Sequence, residues 1–213
     1  MVWKIDAPQG NEVGKIRWET VPYTQGTGYD LGCGPEKLWP QCIGIDSGLD
    51  EHLFGIKVNC DLRVADASDV NFLASSHADW IFSSHLLEHI VDYKKALREW
   101  WRVLKDGGRL ILYLPHKSFY PNIGQHGANP DHKHDFIPED IISAMKEIGG
   151  WDLLECQERN QDNEYSFFIV LRKTTWAENE RTLRKYSPEI RKLLLQQPGA
   201  GNGLVQGVTM GTV

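Results

Sequence analysis

Cysteine is scarce: Cys33, Cys42, Cys60 and Cys156 are the only four, and they form neither a CxxC pair nor a spaced Cys/His quartet. That pattern excludes a zinc ribbon and offers no disulfide framework, so a reduced, cytoplasmic setting is expected. No run of about 18 apolar residues occurs, and Val2-Trp3-Lys4-Ile5-Asp6 after Met1 is no apolar signal core. Neither a membrane span nor a signal peptide is expected. Positive charge is short as well, with 23 Lys and Arg against 29 Asp and Glu and a net charge of -6. A protein that grips duplex nucleic acid by neutralising phosphates needs the opposite balance, so no duplex nucleic acid partner is expected. No internal repeat divides the 213 residues, which at 41% hydrophobic can close a core without a disulfide or structural metal.

Residues 1–27 are punctuated by Pro8, Gly10, Gly14, Pro22 and Gly26, which forbids a long helix and predicts an irregular arm packed by Trp3, Trp18 and Tyr23. From Tyr29 onward come short runs apolar on both faces: Tyr29–Leu31, Cys42–Ile45, Trp80–Phe82 and Leu110–Leu114. Buried parallel strands have that character. Between the last two, Ala96, Leu97, Trp100, Val103 and Leu104 make an apolar helical stripe, with Asp92 placed to cap it and Gly107 and Gly108 to end it. A further helix is predicted from Ile137-Pro138-Glu139-Asp140 to Ile148, followed by strands near Trp151–Cys156 and Tyr165–Leu171 joined as an antiparallel edge hairpin. Alternating strands and helices imply an α/β, doubly wound, mostly parallel sheet over residues 28–173. In residues 174–213 a charged helix is predicted over 176–196, followed by a tail with five glycines in its last fifteen residues.

In such a sheet ligands bind beyond the carboxyl ends of the strands, so the loops after each strand carry the chemistry. The first loop is Asp30-Leu31-Gly32-Cys33-Gly34, whose two glycines allow a sharp turn and close approach of main-chain amides to a ligand. A dinucleotide fingerprint would need a third glycine where Lys37 stands, which argues against a nicotinamide cofactor. Asp46 ends the next run, CIGID, where a carboxylate can accept both hydroxyl protons of a ribose. Asp66-Ala67 follows, able to accept from an exocyclic amine while the Ala67 amide faces a ring nitrogen. Asp61 is a rival for that place. Each acid can equally be a solvated strand end or a cap.

Taken in order, Asp30 with GCG, Asp46, Asp66-Ala67, ADWIFSSHLLEHI and LKDGGRLILYLPH resemble the class I S-adenosylmethionine-dependent methyltransferases, in particular their type 11 group of small-molecule and glycan-modifying enzymes. The resemblance spans about residues 28–173. It implies a Rossmann-like, seven-stranded sheet with an antiparallel edge strand, S-adenosylmethionine as cofactor and S-adenosylhomocysteine as product. Asp30, Gly32, Cys33 and Gly34 would line the methionine part of the cofactor, Asp46 the ribose, and Asp66 and Ala67 the adenine. Ser83 and Ser84 would lie beside the sulfonium. GPEKLWPQ departs from the family in leaving little room for a full helix after the first strand. The expected acceptor is a small molecule or saccharide, methylated on oxygen or nitrogen.

His85 and His116 follow the fourth and fifth strands and are the candidate proton acceptors, with a pKa near 6.5 if catalytic. His85 and His89 can equally brace their loop. A sulfonium is already activated, so alignment without any base is a second possibility. His85, His89, His132 and His134 have metal-ligating composition, yet no cysteine joins them and no supporting pattern is readable, so no metal site is expected. Residues 118–136 form a long loop expected to cover the acceptor. Two alternatives stand beside the enzyme: a catalytically inactive methyltransferase-like binding module, and a nucleic-acid methyltransferase. The second is disfavoured because SSHL replaces an (N/D)PPY-type sequence after the fourth strand.

Overall fold

The computed structural model describes residues 12–161 and 163–175, so Trp3, the 176–196 helix and the glycine-rich tail fall outside the described residues. Seven strands form one sheet: β1 (Gly28–Leu31), β2 (Ile43–Asp46), β3 (Leu62–Arg63), β4 (Ala78–Ser84), β5 (Leu104–Pro115), β6 (Trp151–Arg159) and β7 (Ser166–Lys173). Their order is β3-β2-β1-β4-β5-β7-β6. The first five pair in parallel, and β7 runs antiparallel to both β5 and β6. The antiparallel strand is therefore β7, one place in from the edge; a hairpin of only a few residues lets it slot between β5 and β6.

The period of two along each strand explains the continuous apolar runs. Ile81, Leu110, Leu112, Leu114, Phe167, Ile169 and Leu171 face one core. There they meet two helices, α3 (Tyr93–Val103) and α4 (Pro138–Ile148), through Leu97, Trp100, Ile141 and Met145. Trp80, Phe82, Ile111, Tyr113, Phe168 and Val170 face a second core closed by Val13, Ile16 and Leu38. Val13 and Ile16 belong to α1 (Glu12–Ile16), which continues as a 3-10 turn over Arg17–Tyr23. Aliphatic residues thus anchor the arm more than its aromatics do. Trp18 is 74% exposed and only meets Trp39 edge-on, although Tyr23 does reach Phe168.

Asp92 caps α3 as expected, accepting from the Lys95 amide at 2.9 Å. The helix stops at Val103 and β5 begins at once, before Gly107 and Gly108. Ala78 pairs with Leu104 and Trp80 with Arg109, so the Lys105–Gly108 stretch is extruded as a bulge within the strand rather than forming a helix end. Asp140 accepts from the Ile137 amide at 3.0 Å and fixes the start of α4. Between β1 and β2 there is no helix: Arg17 instead holds the GPEKLWPQ stretch through the Leu38 and Lys37 carbonyls. A short helix, α2 (Leu49–Phe54), follows β2 where no periodicity predicted one.

Trp100 ties the helical layer to the sheet's ligand edge, because its indole N–H donates to the Ala67 carbonyl at 2.8 Å from a fully buried ring. Replacing Trp100 by Phe keeps most of the apolar contact and orphans that carbonyl, so it should cost about 1–3 kcal/mol in urea unfolding. A loss below about 0.5 kcal/mol would mean the bond contributes nothing net.

Candidate functional site

Four loops meet along the carboxyl edge of the sheet because β1 pairs in parallel with β2 and β4. Asp30 stands beside Gly44 on one side and Phe82 on the other, and Leu31 is level with Ile45 and Ser83. The chain then turns at Gly32, whose φ is +72° and whose amide donates to the Ile45 carbonyl at 2.8 Å. A Cβ there would press on the Leu86 side chain at 3.0 Å. Gly34, at φ +55°, differs: a Cβ on it would meet nothing within 4 Å. Its open face is the cradle that a ligand lying along the first loop requires.

Asp46 holds that cradle. One carboxylate oxygen accepts from the Gly34 amide at 2.9 Å and the other from Gly48 at 2.8 Å. Each oxygen keeps a second lone pair, so the carboxylate can brace the loops and still accept from a ligand hydroxyl. Asp30 is buried with Oδ2 accepting from Leu38 at 2.7 Å, while Oδ1 has no partner among the described residues. Burial, with the Asp46 charge nearby, pushes its carboxyl up to about 7. Ser83 Oγ and Ser84 Oγ are likewise buried without a partner. Three orphaned polar atoms beside an open glycine fit a polar, cationic ligand head.

The remaining expected residues lie in the neighbouring turns. Cys33 is buried, and desolvation raises its thiol far above the ordinary range. Asp66 follows β3, accepting from the Ser68 amide and hydroxyl at 2.8 Å, and these bonds hold its carboxyl below the usual range. Ala67 beside it is fixed by Trp100. Asp61 is tied to Lys37 at 2.9 Å and to the Gly44 amide at 2.8 Å, so its carboxylate closes the back of the β1–β2 turn.

The two histidines are embedded in structure. His85 has a φ of +49°, held by its amide donating to the Tyr113 carbonyl at 2.9 Å. Its ring packs against Tyr113 and Tyr165, Nε2 lies 2.9 Å from Ser166 Oγ, and burial pushes the imidazole down to about 3. The cause is desolvation, which penalises the imidazolium. His116 stacks on Phe119 with centroids 4.3 Å apart, and its Nδ1 accepts from the Ser118 amide at 3.1 Å. The bond commits one ring nitrogen to bracing the start of the long loop.

Sequence reasoning passed over Glu88. Its side chain is wholly buried, both oxygens lack a hydrogen-bond partner among the described residues, and burial with the Glu12 charge pushes it up to about 8. It sits in a 3-10 turn, Leu87–His89, that puts His85 and Glu88 on one face. The long loop docks on this turn, its Lys133 and His134 amides donating to the Glu88 carbonyl at 2.7 and 3.2 Å. Tyr120 of that loop packs at a tilt between His132 and Tyr165, with ring centroids 5.3 and 5.0 Å away, forming an aromatic wall. HLLEH carried the signal, since residues i and i+3 meet in a three-residue turn.

Asp30 gives this edge a pH signature. Its folded pKa of about 7 exceeds the ordinary 3.8, so the folded state binds more protons and loses stability as pH rises from about 4 to about 7. Asp30→Asn has no such proton to lose. Its unfolding free energy relative to the parent should therefore climb between pH 5 and pH 8, read from denaturation at each pH. A constant difference would show that Asp30 ionises normally.

Comparison with known proteins agrees with this geometry. Residues 29–112 match the family model described as a methyltransferase domain. The chain is 32% identical over 102 residues to the ubiquinone/menaquinone biosynthesis C-methyltransferase UbiE of Psychromonas ingrahamii. That match covers 41% of this chain and 40% of the relative, so the chain spans well under half of that protein's length. Among solved structures, a chain from the complex of the Haloferax volcanii Trm112 methyltransferase activator with a methyltransferase superposes with a TM-score of 0.58 at 16% identity, covering 78% of this chain and 91% of that one. An S-adenosylmethionine-dependent methyltransferase from Mesorhizobium loti gives 0.56 at 16% identity, covering 75% and 96%. The fold is thus that of these solved methyltransferase structures, and residues 29–112 are similar to a methyltransferase domain.

Proposed function

We propose that this chain transfers a methyl group from S-adenosylmethionine to a hydroxyl or amine of a small-molecule or saccharide acceptor. The observation that carries this is the open Gly34 amide turn, braced by Asp46 and flanked by the partnerless Asp30 Oδ1 and Ser83 Oγ. Asp30 would accept from the cofactor's ammonium, whose charge draws the carboxyl back toward ionisation. Asp46 would accept from the ribose hydroxyls, Asp66 from the adenine amine, and Gly32 and Gly34 would admit the methionine portion. Ser83 and Ser84 would line the place of the sulfonium, which when bound supplies a methyl group already activated for displacement. The remaining task of the protein is to orient an acceptor and exclude water. His85 and His116, held as they are, brace this cleft in our reading and are not its bases.

The aromatic wall of Tyr120 and Tyr165 supports a ring-shaped acceptor, a sugar or a small phenol. Phenols belong in a substrate screen also because the similar Psychromonas ingrahamii protein is named as a C-methyltransferase of quinone biosynthesis. No helix among the described residues is long and apolar enough to cross a membrane, which leaves water-borne acceptors as the first panel: sugars, nucleotide sugars and phenols, scored by release of S-adenosylhomocysteine. Tight cofactor binding with no turnover across an extended panel would favour the inactive-module reading.

Two variants test the cofactor site by calorimetric titration with S-adenosylhomocysteine. Asp46→Ala should weaken binding by about 1.5–3 kcal/mol, the range for lost hydrogen bonds to a charged group. Gly34→Ala should weaken binding at least tenfold while the protein stays folded, because its methyl group enters space open on the protein side and the left-handed backbone costs only about 1–2 kcal/mol. Unchanged affinity in both would remove the ligand from this edge.

A further inference from the structure

We infer that Glu88, His89 and His132 form a binding site for one first-row divalent transition metal ion, with His85 alongside them. Among the described residues, this is the group of His, Cys, Asp and Glu whose ligand atoms all gather within 4.8 Å of one another. Glu88 Oε1 lies 3.8 Å from His89 Nε2, 3.9 Å from His132 Nε2 and 3.8 Å from His85 Nδ1. One carboxylate oxygen thus faces three imidazole nitrogens.

The second observation is Glu88 itself. A fully buried carboxyl group with neither oxygen given a hydrogen-bond partner among the described residues is costly. Its oxygen points into the histidine cluster, at distances too long for hydrogen bonds and short enough to share an ion. A four-coordinate zinc ion at usual bond lengths separates its donors by roughly 3.3 Å, so the two Glu88 to histidine separations must close by about half an ångström and the widest separation, up to 4.8 Å, by up to about 1.5 Å.

The proton pattern around His85 points the same way. The Tyr113 hydroxyl donates to Glu164 at 3.0 Å, and Ser166 hydrogen-bonds to Tyr113. Ser166 Oγ lies 2.9 Å from His85 Nε2, and when that nitrogen carries the proton it donates to the hydroxyl. His85 Nδ1 then presents a lone pair toward Glu88 Oε1. Hydrogen bonding that fixes the tautomer of an imidazole ligand is the usual support of a metal site.

The backbone delivers the ligands without strain elsewhere. His89 leaves the same tight turn as Glu88, and His132 arrives on the loop that donates two amides to the Glu88 carbonyl. His134 lies outside the set, since its Nε2 lies 3.0 Å from the Ile90 carbonyl and 3.1 Å from that of Val91. Imidazole nitrogens with one carboxylate oxygen suit zinc, iron(II), manganese or nickel and disfavour calcium and magnesium, which prefer oxygen donors. Three firm ligands leave a position open. Resting on the methyl-transfer reading, that position would take an acceptor hydroxyl, orient it at the β4 end and lower its pKa, a task neither histidine is placed to do as a base.

The test uses the full chain, stripped with a chelator and titrated with zinc alone by calorimetry, with cobalt(II) absorption as a second readout. One ion per chain should bind, with the visible bands of cobalt(II) in a nitrogen and oxygen site. His132→Ala and His89→Ala should each weaken zinc binding at least tenfold. His126→Ala, an exposed histidine of the same loop, should leave it unchanged. Glu88→Gln should also lose the ion; circular dichroism of all variants guards against misfolding, and the two histidine variants decide if Glu88→Gln fails to fold. No zinc bound by the parent, or equal affinity in folded His132→Ala and His89→Ala, overturns the site. Titration with S-adenosylhomocysteine is run in parallel: zinc bound without the nucleoside overturns the methyl-transfer role and leaves the metal site standing.

Discussion

Parallel pairing of β1 with β2 on one side and β4 on the other is the constraint on which everything else depends. It sets Leu31, Ile45 and Ser83 at one level, so the chain leaves all three strands at the same edge and must turn there within a few residues. Gly32 and Gly34 make the turn, and Asp46 joins it to the loop after β2 through two backbone amides. One carboxylate thereby cross-links two loops whose ends the sheet has already aligned. The same alignment leaves Asp30 Oδ1, Ser83 Oγ and Ser84 Oγ buried without partners. A fold keeps such atoms at a cost of about 1–3 kcal/mol each unless a water or a polar ligand satisfies them.

The chain divides its polar work between two neighbouring places. Carboxylates and glycine amides lie along β1 and β2, whereas imidazoles and Glu88 lie beyond β4 and under the long loop. Their separation follows from β4 itself, whose Ser83 and Ser84 belong to the first group and whose next residue, His85, turns into the second. Tyr113 and Ser166, on strands β5 and β7, hold His85 from behind. The antiparallel insertion of β7 therefore has a chemical consequence, since it brings Ser166 level with Pro115 and within reach of the imidazole.

Much of this was legible in the sequence. Strands apolar on both faces, the Asp92 cap and the Pro138 helix start follow from local chemistry that tertiary context did not override. The acidic residues at the ends of β1 and β2 stand where the order of motifs put them. Other features depend on partners distant in the chain. The bulge at Lys105–Gly108 exists because β4 forces β5 to start at Leu104, which no periodicity reveals. The pKa of His85 is set by burial among Tyr113, Tyr165 and Ser166, and the environment of Glu88 by a loop more than forty residues later. Such contacts have no local pattern, so the burial of a histidine in HLLEH is not written in its neighbours along the chain.

The central claim is that S-adenosylmethionine or its product lies along the carboxyl edge of β1, β2 and β4. Hydrogen–deuterium exchange of the full chain, with and without S-adenosylhomocysteine, tests it most directly. The account predicts protection concentrated in residues 30–34, 46–48, 66–68 and 83–85, with the amides of α4 and β6 unchanged. Protection confined to other segments, or none at saturating nucleoside, would contradict it.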